Sequence, residues 1–270
     1  MRLFVSALRK LAPRMATLLT FGLLAGMLVL IDVAVVATRG AVEGGPGRPG
    51  NVLALITFPG AYNQILSFIL GLGGLFAVIY GAAIAGSEWT WGTLKTAVAR
   101  GESRSRYLLA TFAAIAVVLA VGFLFTALVG VIAAALGASV AGIGLSGMGD
   151  RAALEALPEH FLRGWVAITE TAALGFAVAT LARSQLAGIG VGIAVYFGET
   201  FAGLFLPDVV KYMPFHLATA AVGGSTGFAP VPSSTGPVMS TDTALVLVAV
   251  WLLASLVVAS GFGERAEITG

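Results

Sequence analysis

The 270-residue sequence contains no cysteine, which excludes disulfides, thiolate metal ligands and cysteine nucleophiles and leaves the redox compartment unmarked. Charge is scarce as well: 10% of residues are Asp, Glu, Lys or Arg, against about 25% in an ordinary soluble domain. So few charges cannot clothe the surface of a water-soluble core, and a net charge of +2 gives no basis for binding nucleic acid. Histidine is limited to His160 and His216, too few ligands for a metal site even with Met213 beside the second. No serine, histidine and carboxylate constellation for hydrolysis is evident. A Gly-Lys dipeptide is missing too, and with it the phosphate-binding loop of an ATPase.

What the chain has in quantity is apolar residues, 58% of the total. They collect in six long runs, 17–37, 62–86, 107–137, 161–182, 186–206 and 243–262. In hydrocarbon every backbone polar group must be paired within its own segment, so runs of this length predict helices. The expected fold is an all-α integral membrane protein in which residues 1–270 form a single transmembrane domain with six transmembrane helices. The first run, with basic residues before it and Val35-Val36-Ala37 near its end, has some features of a signal peptide. Its length and Asp32 favour a span.

Lysine and arginine set the orientation. With the N-terminus inside, Arg2, Arg9, Lys10, Arg14, Lys95, Arg100, Arg104, Arg106, Arg183 and Arg265 are cytoplasmic, and Arg39, Arg48, Arg151, Arg163 and Lys211 are outside. The positive-inside bias favours this arrangement, with both termini cytoplasmic in the cell (inner) membrane. The outer loops are then 38–61, with its turn-rich Gly44-to-Gly50 stretch, 138–160, and 207–242. Within the last, Phe215 to Val222 is apolar enough for a short re-entrant helix ended by Gly223-Gly224. At the N-terminus, Phe4, Leu8 and Leu11 share a helical face while Arg2, Arg9, Lys10 and Arg14 supply charge, predicting an interfacial helix broken at Pro13.

The segment between the second and third spans holds Glu88, Trp91, Gly92, Thr93, Leu94, Ala97, Arg100, Ser103 and Arg104. Trp91, Leu94 and Val98 fall on one helical stripe, with Thr93, Ala97 and Arg100 expected on the face toward the cytoplasm. Glu88 is expected to pair with Arg104 or Arg106. This segment resembles the loop of the membrane subunits of ABC exporters of the type-2 permease class, which share the type V exporter fold. Those subunits join their second and third spans by a glutamate, Gly-Thr, a short apolar helix and a Ser-Arg pair, matched here by Glu88, Gly92-Thr93, Leu94 to Ala99 and Ser103-Arg104. Where the family often places a lysine at the start of the third span, this chain has Arg106-Tyr107.

The resemblance implies that the short helix is a cytoplasmic coupling helix seated in a separate ATPase subunit. It implies two such ATPase copies, a second permease copy as homodimer or related heterodimer, and ATP and magnesium bound by the partner rather than by this chain. An enzyme is not expected. The substrate is left open, although spans so poor in charge suit a hydrophobic or amphipathic cargo. Three acids, Asp32, Glu170 and Glu199, lie within spans and must face the bundle interior, a partner or water. They could form an intramembrane polar path, or serve as relays in the alternative of a proton- or ion-coupled carrier, for which two structural repeats would be expected. A non-transporting scaffold is the other alternative. Gly22 with Gly26, and Gly188 with Gly190 and Gly192, are expected on close-packing helix faces. Gly142, Gly144 and Gly147 match a dinucleotide fingerprint only formally, since they follow a membrane helix rather than a strand.

Overall fold

The computed structural model describes residues 2–38, 52–223 and 239–265. The Gly44-to-Gly50 stretch, Arg39, Arg48, Gly224 and the prolines at 230, 232 and 237 lie outside them. Among the described residues, ten α-helices run in order: α1 (Arg2–Leu11), α2 (Met15–Thr38), α3 (Gly60–Thr90), α4 (Thr93–Ala99), α5 (Arg104–Val140), α6 (Arg151–Ala182), α7 (Gln185–Ala202), α8 (Pro207–Val210), α9 (Pro214–Ala220) and α10 (Thr241–Arg265). There is no strand among the described residues. Six of the helices, α2, α3, α5, α6, α7 and α10, are long and apolar enough to cross a membrane. The shortest of them, α7, has 18 residues, about 27 Å at 1.5 Å per residue.

These six coincide with the predicted runs, but their ends differ in instructive places. The second run continues to Thr90, so Glu88 and Trp89 belong to a helix and not to a loop. The loop expected over 138–160 is largely helical, because α6 begins at Arg151. Asp150 caps it by accepting the Ala153 amide at 2.9 Å, and Ala153, Leu157 and Phe161 turn toward the core. Pro158 sits inside this helix, where its missing N–H and ring bulk would ordinarily signal a break. The helix expected over 215–222 is α9, followed by Gly223 at φ 72°.

Packing rests on glycine where backbones meet. A Cβ at Gly81 would lie 2.1 Å from the Ala172 carbonyl oxygen, and one at Gly175 would lie 2.1 Å from that of Val78. The α3 and α6 backbones therefore cross in direct contact, which no larger residue at these positions would permit. A second seam joins α2 to α5. Phe21, Leu28 and Val36 of α2 press onto Gly122, Gly130 and Gly137 of α5, with a Cβ at Gly122 only 2.0 Å from the Phe21 ring. The two sets recur at seven- and eight-residue intervals, the spacing of a knob-in-hole seam between helices. Gly188 and Gly192 do pack closely, against Ala179 and Val78. Gly22, Gly26 and Gly190 have no described neighbour within 4 Å of a would-be Cβ, so the close-packing face expected for Gly22 and Gly26 is not used among the described residues. The reason is the α2 register: Leu24, Ala25, Leu28, Asp32 and Val35 are its buried residues, and the two glycines fall on the opposite side.

One end of the bundle gathers α1, α4, the start of α5, the α6–α7 turn and the end of α10. Arg104 Nη1 donates to the Glu264 carbonyl at 3.3 Å, and Arg183 stands over the rings of Trp89 and Phe262 at 5.5 and 5.7 Å. Arg183 itself closes α6 in the left-handed region, φ 50°, leaving a two-residue turn before α7. That turn presses on α3, since a Cβ at Gly86 would lie 2.3 Å from Gln185 Cα. Residues of the basic set assigned above to the cytoplasm thus share one end of the molecule.

Candidate functional site

Glu88 occupies the last turn of α3 and is 1% exposed. A carboxylate so enclosed is tolerable only when donors surround it, and three elements supply them. Lys10 Nζ of α1 reaches Oε1 at 2.5 Å, the Tyr107 hydroxyl of α5 donates to Oε2 at 2.5 Å, and the Thr93 hydroxyl of α4 donates to Oε2 as well. Four helices are tied through one side chain. Around it, Arg14 Nη1 donates to Ser87 Oγ at 3.2 Å and its guanidinium stacks 4.7 Å over Trp91. Thr17 donates to the Leu11 carbonyl and shares a hydrogen bond with the Tyr80 hydroxyl, each at 2.8 Å.

The expected pairing of Glu88 with Arg104 or Arg106 is replaced by these contacts. Glu88 projects from the final turn of α3 toward α1 and α5, whereas Arg104 at the start of α5 reaches α10. The stripe expected for α4 is also revised. Trp91 is 66% exposed, while Leu94 is buried at 1% and Val98 is half-buried. Trp91 is the C-cap of α3, and Gly92 adopts the left-handed conformation, φ 66°, before α4 begins. Helical spacing cannot be carried through a residue in that conformation, so Trp91 and Leu94 do not share a face. The same reversal at Gly92 returns α4 onto the end of α3 and turns Thr93 inward to Glu88. Ala97 is half-buried, and the outward face of α4 carries Lys95, Thr96, Ala99 and Arg100. Ser103 is the extended N-cap of α5.

The three acids within spans do not form one group: Glu170 and Glu199 neighbour each other and Asp32 stands apart. Asp32 faces a groove between α2 and α5, with Oδ2 buried and lacking a hydrogen-bond partner. Glu170 and Glu199 lie on α6 and α7, close enough to interact electrostatically. Glu199 accepts the backbone amides of Phe215 and His216 at 3.4 and 3.1 Å, and so caps the first turn of α9. Phe215 in turn meets α3, with its ring 3.5 Å from the Cβ position of Gly74. Glu170 is fully enclosed, and neither carboxyl oxygen has a partner. Burial holds His216, on α9, below its ordinary pKa and therefore favours the neutral ring. Among the described residues there is no group of three or more His, Asp or Glu side chains that could hold a metal. Gly142, Gly144 and Gly147 lie in the turn between α5 and α6, where Gly147 packs beneath the Phe58 carbonyl.

Sequence reasoning found Glu88 but missed Lys10, Arg14, Thr17, Tyr80 and Tyr107 as its surroundings. Lys10 and Arg14 flank the α1–α2 break, 78 and 74 residues before Glu88, and no local pattern in the sequence links them to it.

Six long apolar helices with glycine-mediated crossings define a multi-pass, all-helical membrane protein. The chain belongs to the family described as Protein of unknown function (DUF2705), which residues 44–261 match. No curated protein matches it.

Proposed function

We propose that this protein is the permease subunit of an ATP-driven exporter of the type-2 ABC class, with α4 as the coupling helix that engages a separate ATPase. The observation that carries the reading is the convergence of α1, α4 and α5 on Glu88. A short helix with an exposed Lys95, Thr96 and Arg100 face is anchored by Leu94 and Thr93 to the ends of two spans. A push on its outer face would be passed to α3 and α5 through Glu88 and to α1 through Lys10. In this reading the end that gathers α1 and α4 is cytoplasmic, in keeping with its arginines and lysines. Two permeases associate, and α7 and α10 carry wide apolar outward faces for lipid and for the second copy. Two ATPases bind ATP and magnesium. The resemblance of Glu88, Gly92-Thr93 and Ser103-Arg104 to the family loop supports the same assignment.

The test is co-purification with a candidate ATPase that carries a Gly-Lys-Ser/Thr loop. Arg100→Glu combined with Ala97→Gln is expected to leave the permease folded and to lower both ATPase retention and substrate-stimulated hydrolysis. Unchanged retention and stimulation would remove α4 as the coupling element.

One observation favours a second reading, an ion-coupled carrier: a carboxyl kept in hydrocarbon without a partner, as Glu170 is, marks proton and ion routes in membrane proteins. Transport by a Glu170→Gln variant separates the two. Loss of transport with ATPase binding intact supports an ion step, and full transport rules it out.

A further inference from the structure

We propose that the groove between α2 and α5 is a binding site for an amphiphilic monocation, an alkyl chain bearing a protonated amine that donates to Asp32. The groove measures about 520 Å³, within the range of pockets that hold small molecules. Among the described residues, Asp32 is its one polar lining residue. Val29 and Val33 of α2 face Val129, Ile132 and Leu136 of α5 across it, and the remaining lining residues are aliphatic or glycine. Gly137 lets Val36 close the contact between the two helices at one end, a Cβ there lying 3.2 Å from Val36 Cγ2.

Asp32 is 8% exposed, lines the groove, makes no ion pair with a described residue, and has Oδ2 without a hydrogen-bond partner. Such a group is costly to maintain unless something meets it. A metal ion is a poor occupant, because hard cations take six or more oxygens and the described residues of the groove offer a single carboxylate. A second copy of this chain laid against the groove through α2 or α5 brings no base: α2 contains no lysine or arginine, and α5 has none after Arg106. A neutral lipid tail fills the aliphatic wall but leaves Oδ2 unmet. An ammonium head satisfies it with a charge-assisted hydrogen bond, while the chain covers the valine and leucine walls. The site stands apart from the transporter reading, since binding requires no ATPase.

The experiment uses the full chain in phosphatidylcholine nanodiscs without ATPase, titrated with dodecylamine and with dodecanol and followed by native mass spectrometry and thermal unfolding. Dodecylamine is expected to bind saturably at one site per chain and to raise the unfolding temperature, and dodecanol to do neither. Asp32→Asn is expected to weaken dodecylamine about tenfold, as befits the loss of one hydrogen bond to a charged group. Ala133→Trp, which fills the groove and leaves Asp32 in place, is expected to abolish saturable binding. Equal affinity in the wild-type chain and Asp32→Asn, equal behaviour of dodecanol, or full binding by Ala133→Trp would each overturn the proposal. A single cysteine placed by Val33→Cys tests the remaining occupant: rapid disulfide formation between copies in amine-free membranes would show a second chain in the groove and would also overturn it.

Discussion

Glu88 and Glu170 lie on neighbouring helices of one bundle, 1% and 0% exposed, yet Glu88 is met by Lys10, Thr93 and Tyr107 while neither oxygen of Glu170 meets a donor. The first sits where separate elements must be joined, at the end of the molecule rich in arginine and lysine. The second sits in the middle of α6, among alanines, threonines and glycines that let helices touch. A carboxylate with a full complement of donors holds structure together. One without donors costs stability.

The difference can be broken first at Glu88. Replacing it by leucine removes the shared acceptor and leaves the Lys10 ammonium beside an apolar side chain, so Glu88→Leu should destabilise the folded subunit by about 3 kcal/mol, the scale of breaking a buried pair. Thermal unfolding in detergent measures this, and an unchanged midpoint would mean that the donors are satisfied elsewhere. Glu170→Met should move the other way. It fills similar volume without a polar atom, and the same measurement should show a gain of about 1 to 2 kcal/mol. Loss of stability instead would show that Glu170 has a partner such as bound water.

Smaller changes sharpen the contrast. Tyr107→Phe deletes one of the donors to Glu88 and leaves the other two, for an expected loss of about 1.5 kcal/mol, and Tyr107→Phe made in the Glu88→Leu background should add little, because the interaction is already gone. The smallest effect belongs to the α9 side. His216 is held below its ordinary value of 6.5 by burial, so the unfolded chain binds the proton more readily than the folded one. Its contribution to stability is whole above that ordinary value and shrinks as pH falls below it toward the lower folded value. A His216→Gln variant should therefore lose less stability than the wild type on acidification across this range, read from paired unfolding curves.

The six spans were legible because a long uncharged run has few other structures open to it in hydrocarbon. The span ends were less so. Trp89 and Glu88 read as loop residues by polarity, but the neighbours that make a buried Glu88 tolerable come from positions 78 residues earlier and 19 later, and no local pattern announces them. Pro158, Glu155 and Glu159 hid the first turns of α6 for the same reason: residues that usually end a helix are accepted where Asp150 caps it and Leu157 and Phe161 find the core. The α4 helix itself was visible in the spacing of Leu94 and Val98. Its orientation was not, because one glycine in the left-handed conformation resets the face. The crossing of Gly81 with Gly175 and the row of Gly122, Gly130 and Gly137 were hidden among the 36 glycines of the sequence, whose partners only the fold reveals.

The coupling role of α4 requires its outer face to touch a soluble ATPase. A photo-crosslinking amino acid placed singly at positions 94, 96, 100 and 149, in membranes containing the permease and its candidate ATPase, reads that contact directly. The expected result is an ATPase adduct from positions 96 and 100, on the exposed face, and none from the buried position 94 or from position 149 at the opposite end of the bundle. Adducts from position 149, or none from 96 and 100 with the ATPase present and active, would contradict both the coupling role of α4 and the cytoplasmic placement of its end.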